Sequence, residues 1–158
     1  MPRKKKSPPP PTGPVLTEEM LLETAGPRTC GRANEYACSD LIRARIVSDD
    51  TLFARIFGNY GVYQTCLTVD ESGKMFADCT CPADMIFCKH AVALGLTWIA
   101  ESDTFFDLGS LEGQLQEKSK VELIALIREM AESYPEVLGI LEIEGFEDIG
   151  EDEEGEEW

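Results

Sequence analysis

This chain of 158 residues contains only one histidine, His90. Triad chemistry needs a histidine base beside a serine or cysteine nucleophile, and the residues around His90 suit a metal ion instead. A phosphate-binding loop is also missing, because the turn Gly58-Asn59-Tyr60-Gly61 has neither the lysine nor the spacing that such a loop needs. These absences predict that the protein is not an enzyme.

Long apolar runs are missing as well. No stretch approaches the roughly 20 apolar residues of a membrane-spanning helix, and the N-terminus Met1-Pro2-Arg3-Lys4-Lys5-Lys6 lacks the apolar segment of a secretory signal. Cysteines grouped as a metal site are typical of a reducing compartment. We therefore expect an intracellular protein, cytoplasmic or, in a eukaryote, nuclear, with no membrane partner.

Positive charge is scarce beyond the first residues. The net charge is −16, of which residues 1–14 carry +4, residues 15–101 carry −5 and residues 102–158 carry −15. Such a field repels nucleic acid at long range, because non-specific binding depends on Lys and Arg that neutralise phosphates. A protein partner is therefore favoured, and a nucleic-acid role would need a local basic patch. Nothing in the sequence indicates the oligomeric state.

One stretch concentrates the metal-binding residue types, with three of the six cysteines and the one histidine. Its pattern is Cys-x-Cys, a gap of six residues, then Cys-x-His. Zinc takes thiolate at about 2.3 Å and imidazole at about 2.0–2.1 Å in a tetrahedron, and structural sites fill all four positions with protein. We predict that Cys79, Cys81, Cys88 and His90 hold one structural Zn²⁺.

The flanking pattern supports this prediction. Apolar residues alternate over 75–81, which predicts a strand with its two cysteines on one face, and Pro82 ends that strand. The apolar run 91–100 predicts a helix whose positive N-terminus favours a thiolate at Cys88. The alternatives are inert cysteines, a catalytic thiol or a disulfide, although a bridge between cysteines two residues apart on an extended segment would be strained.

The ligand order, with Pro82 after the second cysteine and the helix start Cys88-Lys89-His90-Ala91-Val92-Ala93, resembles the SWIM zinc finger. That family occurs in bacterial proteins, in some chromatin-remodelling-type ATPases, in certain transposases and in ubiquitin-pathway proteins. The resemblance implies a ββα zinc module that binds DNA or proteins, with the same four residues as ligands. Because no catalytic domain accompanies the module here, it implies a stand-alone adaptor, as in bacterial SWIM proteins.

Upstream of the zinc stretch, residues 40–47 and 51–57 alternate around the loop Ser48-Asp49-Asp50 and predict a hairpin. Its predicted pairs are Val47 with Thr51, Ile46 with Leu52, Ala44 with Ala54 and Ile42 with Ile56, which leaves one face wholly apolar. A strand at 62–69 follows. The fold class is therefore α+β: a small antiparallel β-meander that ends in a zinc knuckle, packed on the following helix, with additional C-terminal helices.

The other face of this hairpin carries Arg43, Arg45 and Arg55. Like charges opposite each other destabilise a sheet, so on an acidic chain these arginines, with Lys89, suggest a surface that binds anions or nucleic acid. The alternative is internal pairing with acids such as Asp78 or those of the C-terminal segment, with a helix covering the phenylalanines between the arginines.

A second candidate surface is the apolar loop Met85-Ile86-Phe87. A loop that a metal holds rigid is a favourable place for interface anchors, so we expect these residues to contact a partner. The alternative is that Ile86 and Phe87 seal the metal. A protein-interaction adaptor is thus the first function indicated, DNA binding through the arginine face is the alternative, and an accessory subunit of a nucleic-acid-processing enzyme is the second alternative.

Further helices are predicted from Thr17 to Gly26 and over 121–134 behind the capping box Ser119–Glu122, followed by a short turn of helix over 136–141. The predicted domains are a disordered basic, Pro-rich tail at 1–14, a SWIM-like zinc-binding domain at 15–101, a helical extension at 102–141 and a disordered acidic tail at 142–158.

Overall fold

A computed structural model describes residues 11–142 and Gly145, and divides the chain into two compact units between Leu111 and Glu112. The basic cluster Arg3-Lys4-Lys5-Lys6 and nearly all of the predicted acidic tail lie outside the described residues. Among the described helices, none is long and apolar enough to cross a membrane.

The first unit is built on a five-stranded sheet in the order β4-β3-β2-β1-β5. The strands are β1 (Ile42–Ser48), β2 (Thr51–Gly58), β3 (Gly61–Val69), β4 (Met75–Cys79) and β5 (Phe106–Asp107). The first four form the predicted antiparallel meander, and β5 joins the edge of β1 in parallel. The α+β fold class is confirmed, whereas β5 follows from no alternation in the sequence.

The predicted register of the first hairpin is wrong at its turn end. Ser48 pairs with Thr51 and Val47 with Leu52, so the loop has two residues, of which Asp49 has φ +48°. A bulge between Arg43 and Ile46, with Ala44 at φ +50°, restores the predicted pairing of Ile42 with Ile56. The extra residue re-aims the strand, and it turns Val47 and Leu52 together into the core.

Two helices cover one face of this sheet. Helix α1 (Glu18–Ala33) begins at the predicted N-cap Thr17, whose side chain accepts from the N–H of Met20 at 3.3 Å. The predicted break at Gly26 is present, with φ +78°, but the helix resumes beyond it. Proline fits a first helical turn because its missing N–H would be unpaired there, so Pro27 opens a further helical segment. The sequence of residues 28–39 predicts only an irregular or short helical link.

The second helix, α2 (Lys89–Glu101), is buried along most of its length. At Gly95 it approaches the neighbouring core so closely that an added Cβ would lie 3.0 Å from Leu16 and Leu67 and 3.1 Å from Leu21. The fully buried side chains of the sheet and helices pack between these layers; among them are Leu21, Val47, Leu52, Ile56, Leu67, Val92 and Leu94. The sheet that contains β4 and the helix α2, which meet at the zinc stretch, are therefore held together by the hydrophobic core.

Three helices follow the sheet: α3 (Gly109–Gln116), α4 (Lys120–Ser133) and α5 (Glu136–Ile140). The capping box predicted for α4 is confirmed, because Ser119 accepts from the N–H of Glu122 while the carboxylate of Glu122 accepts from the N–H of Ser119. The helix ends before Pro135, as predicted. Helix α3 was not predicted.

Candidate metal centre

The meander delivers the first two cysteines at the end of β4. Cys79 is its last residue, and Thr80 continues the ladder, because its N–H donates to Gln64 O and its hydroxyl accepts from Gln64 N–H, both at 3.0 Å. This pairing holds the backbone extended one residue further, as side-chain alternation requires for Cys79 and Cys81 to share a face. The strand end thus presents two sulfur atoms together.

Helix α2 delivers the other two ligands from its first turn. Cys88 is the N-cap residue and is almost completely buried, and His90 follows at 4% exposure. The Sγ atoms of Cys79 and Cys88 lie 3.9 Å and 3.8 Å from Nδ1 of His90. The imidazole therefore turns its Nδ1 toward the sulfur atoms.

The four candidate ligand atoms all lie within 4.8 Å of one another. Adjacent thiolates on tetrahedral zinc stand about 3.8 Å apart when each Zn–S bond is about 2.3 Å, so small side-chain movements bring the four atoms onto one ion. Within residues 11–142 this is the one group of cysteine, histidine and carboxylate side chains found at such spacing. A Cys₃His set fits one structural Zn²⁺.

The environment of His90 is consistent with that fit. Its ring lies between those of Tyr36 and Tyr63, with centroids 5.1 Å and 4.9 Å away. Its Nε2 is buried and has no hydrogen-bond partner among the described residues. Packing between the two aromatic rings holds the imidazole with Nδ1 facing the sulfur atoms.

Crowding of the thiols changes their acidity. The neighbouring Cys88 and then burial raise the pKa of Cys79 to about 11. The hydrogen bond from Cys79 lowers the pKa of Cys88, and this effect exceeds that of burial, which acts in the opposite direction. Cys79 therefore holds its proton at neutral pH when no metal is bound, and zinc must displace that proton, since the ligand is the thiolate.

The three predicted sheet arginines do not form one surface. Arg43 and Arg55 are opposite each other across β1 and β2, and Arg43 lies over the ring of Phe57 at 4.9 Å. Arg45 turns away and forms a salt bridge of 2.8 Å with Glu101. The alternative of internal pairing thus applies to Arg45, with an acid of α2 as the partner.

The apolar loop between the second and third cysteines divides into two parts. Met85 and Ile86 are 56% and 75% exposed. Phe87 is half-buried and packs against the core. The sealing role considered for this loop therefore falls to Phe87, while the other two side chains face solvent.

Two basic residues near the metal cluster escaped the sequence analysis. Arg28 and Arg32 stand in the helical segment after Gly26, and they line a cavity together with Lys89 and His90. Their spacing of four residues was the available signal, since it places side chains on one helix face. Because residues 28–39 were predicted only as an irregular or short helical link, this spacing was not interpreted.

Residues 65–97, which contain β3 from Thr65 onward, β4, the four ligands and the first two turns of α2, match the family model of the SWIM zinc finger. No curated protein and no solved structure matches the chain.

Proposed function

We propose that this protein, which carries a SWIM zinc finger at residues 65–97, is an adaptor that binds another protein beside its zinc site. The observation that carries this proposal is the exposure of Met85 and Ile86, at 56% and 75%. Both lie in the short loop between two predicted zinc ligands. They are an exposed apolar pair on an acidic chain.

Zinc in this adaptor is structural. All four positions of a tetrahedral ion are taken by Cys79, Cys81, Cys88 and His90, and a catalytic zinc needs an open position. The ligands join the end of β4 to the first turn of α2. The metal thereby shapes the loop from Pro82 to Phe87, which is anchored at both ends.

Such a loop suits recognition because zinc binding has already ordered it, so less conformational entropy is lost when the partner binds. Immobilising a side chain at an interface costs about 0.5–1.5 kcal/mol, and preorganisation reduces that cost. Phe87 packs inward and fixes the loop from below, while Met85 adds a side chain that adapts to irregular surfaces. Ile86 and Met85 are thus the interface anchors that we propose.

The charge balance favours a protein over nucleic acid as the partner. The chain has 30 acidic and 14 basic side chains, so it approaches a phosphate backbone against a repulsive field. The sheet arginines support the alternative of DNA binding less well, since Arg45 is bound to Glu101. We prefer an adaptor to an enzyme or to an accessory subunit of a nucleic-acid-processing enzyme, and we propose that it acts inside the cell.

The test is affinity capture from native cells with the tagged full chain, with and without nuclease. We expect a specific protein that persists after nuclease treatment and is lost with Ile86→Ser. The matched control is Ile140→Ser, which alters an isoleucine of similar exposure, 80%, outside the zinc finger. Equal capture by both variants, or loss of the partner upon nuclease treatment, would contradict the proposal.

A further inference from the structure

The basic cavity beside the zinc ligands has no role in the adaptor described so far. It has a volume of about 350 Å³, and its lining combines Arg28, Arg32, Lys89 and Met85 with the candidate zinc ligands Cys88 and His90. A second cavity of about 220 Å³ shares Arg32 and Lys89 with it and extends toward Tyr60. No aspartate or glutamate lines either cavity within the described part of the chain.

We propose that the cavity lined by Arg28, Arg32 and Lys89 binds an oxyanion group, a phosphate or a carboxylate, carried by the partner protein. This inference rests on the proposed adaptor function and names the chemistry of its partner. We call the cavity lined by these three cations the basic pocket.

The first argument is the uncompensated charge. Arg28 and Arg32 are four residues apart on one helical segment, where like charges repel each other. No carboxylate lies within salt-bridge distance of these arginines or of Lys89 among the described residues. Arg28 and Arg32 are solvent-exposed, so water screens part of this repulsion, and an anion that joins the three cations would remove the rest.

The second argument is the position of Lys89 at the start of α2. A helix N-terminus carries about half a positive charge and favours acids, yet the first turn of α2 has no acidic residue. The ammonium group of Lys89 instead lies over the ring of Tyr36, 4.7 Å from its centroid. A zinc ion with three thiolates carries one net negative charge, which offsets only one of the three cations.

The size and surroundings of the basic pocket select the kind of ligand. A volume of about 350 Å³ lies at the low end of small-ligand sites, which span about 300–1,000 Å³, so it accepts one charged group rather than a duplex. Guanidinium groups bind phosphate and carboxylate through paired hydrogen bonds. Because Met85 lines the same cavity, the partner segment places an apolar side chain next to its anionic one.

The first experiment titrates inorganic phosphate into the zinc-loaded, ¹⁵N-labelled full chain at constant ionic strength, with chloride as the competing salt. We expect saturable amide shifts at Arg28, Arg32 and Lys89. A charge-assisted hydrogen bond contributes about 1.5–3 kcal/mol, so Arg32→Gln should weaken binding at least about tenfold. Arg55→Gln, which removes an exposed arginine of the sheet, should leave it unchanged, and zinc content verifies that each variant is folded.

Peptides then identify the source of the anion. A leucine–phosphoserine peptide that binds more tightly than its leucine–glutamate counterpart indicates a phosphorylated partner, and the reverse order indicates an acidic one. Phosphate that binds no better than chloride, or equally to wild type and Arg32→Gln, overturns the proposal, as does a single-stranded oligonucleotide that binds more tightly than both peptides. If Arg32→Gln loses phosphate but captures the partner normally, the partner does not supply the anion, and this proposal fails while the adaptor function stands. If Ile86→Ser captures the partner normally, the proposed adaptor surface fails instead.

Discussion

Arg45 donates from Nη1 to the carboxylate of Glu101 at 2.8 Å, and this salt bridge ties β1 to the last residue of α2. The same guanidinium donates to the hydroxyl of Thr104 and to the carbonyl oxygens of Ile42 and Ser39 at 2.8–3.2 Å. All three of its nitrogens are therefore used within the fold. A residue that looks like a surface cation in the sequence is a structural connector.

Replacement of Arg45 should consequently destabilise the protein. For Arg45→Met we expect a loss of about 1–3 kcal/mol in the free energy of unfolding, because several hydrogen bonds disappear and Glu101 loses its partner. Urea denaturation monitored by circular dichroism measures it. The control Arg128→Met breaks an exposed i,i+4 pair with Glu132 and should cost at most about 0.5 kcal/mol. Equal effects of the two substitutions would contradict the connector role.

Metal binding and folding should be coupled at the knuckle. We expect near one equivalent of zinc per chain by elemental analysis, and its loss in Cys88→Ser, because Cys88 joins α2 to the cysteines of the strand end. The control Cys66→Ser changes a half-buried cysteine outside the cluster and should retain the metal. A chelator should lower the unfolding temperature of the wild type. Freshly purified protein without zinc would argue against the site.

Zinc affinity should also depend on pH. The pKa of Cys79, raised to about 11, means that this thiol is protonated at neutral pH without metal, so binding of zinc releases at least one proton. The affinity should therefore rise at least about tenfold per pH unit between pH 6 and 8, and the stability that zinc confers should fall as the solution becomes more acidic. Competition with a chromophoric chelator measures this slope. A flat profile would mean that the thiol is already ionised.

The close approach of α2 to its neighbours at Gly95 makes this position intolerant of larger side chains. Gly95→Val should cost about 1–3 kcal/mol through overpacking, since even a Cβ would meet three leucines at 3.0–3.1 Å. In contrast, Gly113→Ala in α3 meets nothing within 4 Å and should stabilise by up to about 1 kcal/mol through helix propensity. Thermal unfolding of the two variants checks the difference. A neutral Gly95→Val would show that the helices separate easily there.

Features carried by local pattern could be predicted from the sequence. The ligand set Cys79, Cys81, Cys88 and His90 depends on residue type and spacing, and the structure brings these side chains together within 4.8 Å. The helix caps at Thr17 and Ser119 depend on hydrogen bonds between residues only three positions apart in the sequence. Alternation predicted the four strands of the meander, because a half-buried sheet requires a period of two.

Features that depend on distant residues could not be predicted. The bulge at Ala44 shifts the register so that Val47 and Leu52 pair and are both buried in the core. Strand β5 forms where the chain after α2 returns to the edge of β1.

The sequence by itself determined the zinc ligands, the meander and the excess of acid, since each is a property of neighbouring residues or of composition. Tertiary structure decided the roles of the cations. Packing of α1 against α2 placed Arg28 and Arg32 beside Lys89, while Glu101 drew Arg45 away from the sheet surface. Both outcomes join residues more than fifty positions apart, and long-range proximity of this kind arises only when a core has formed.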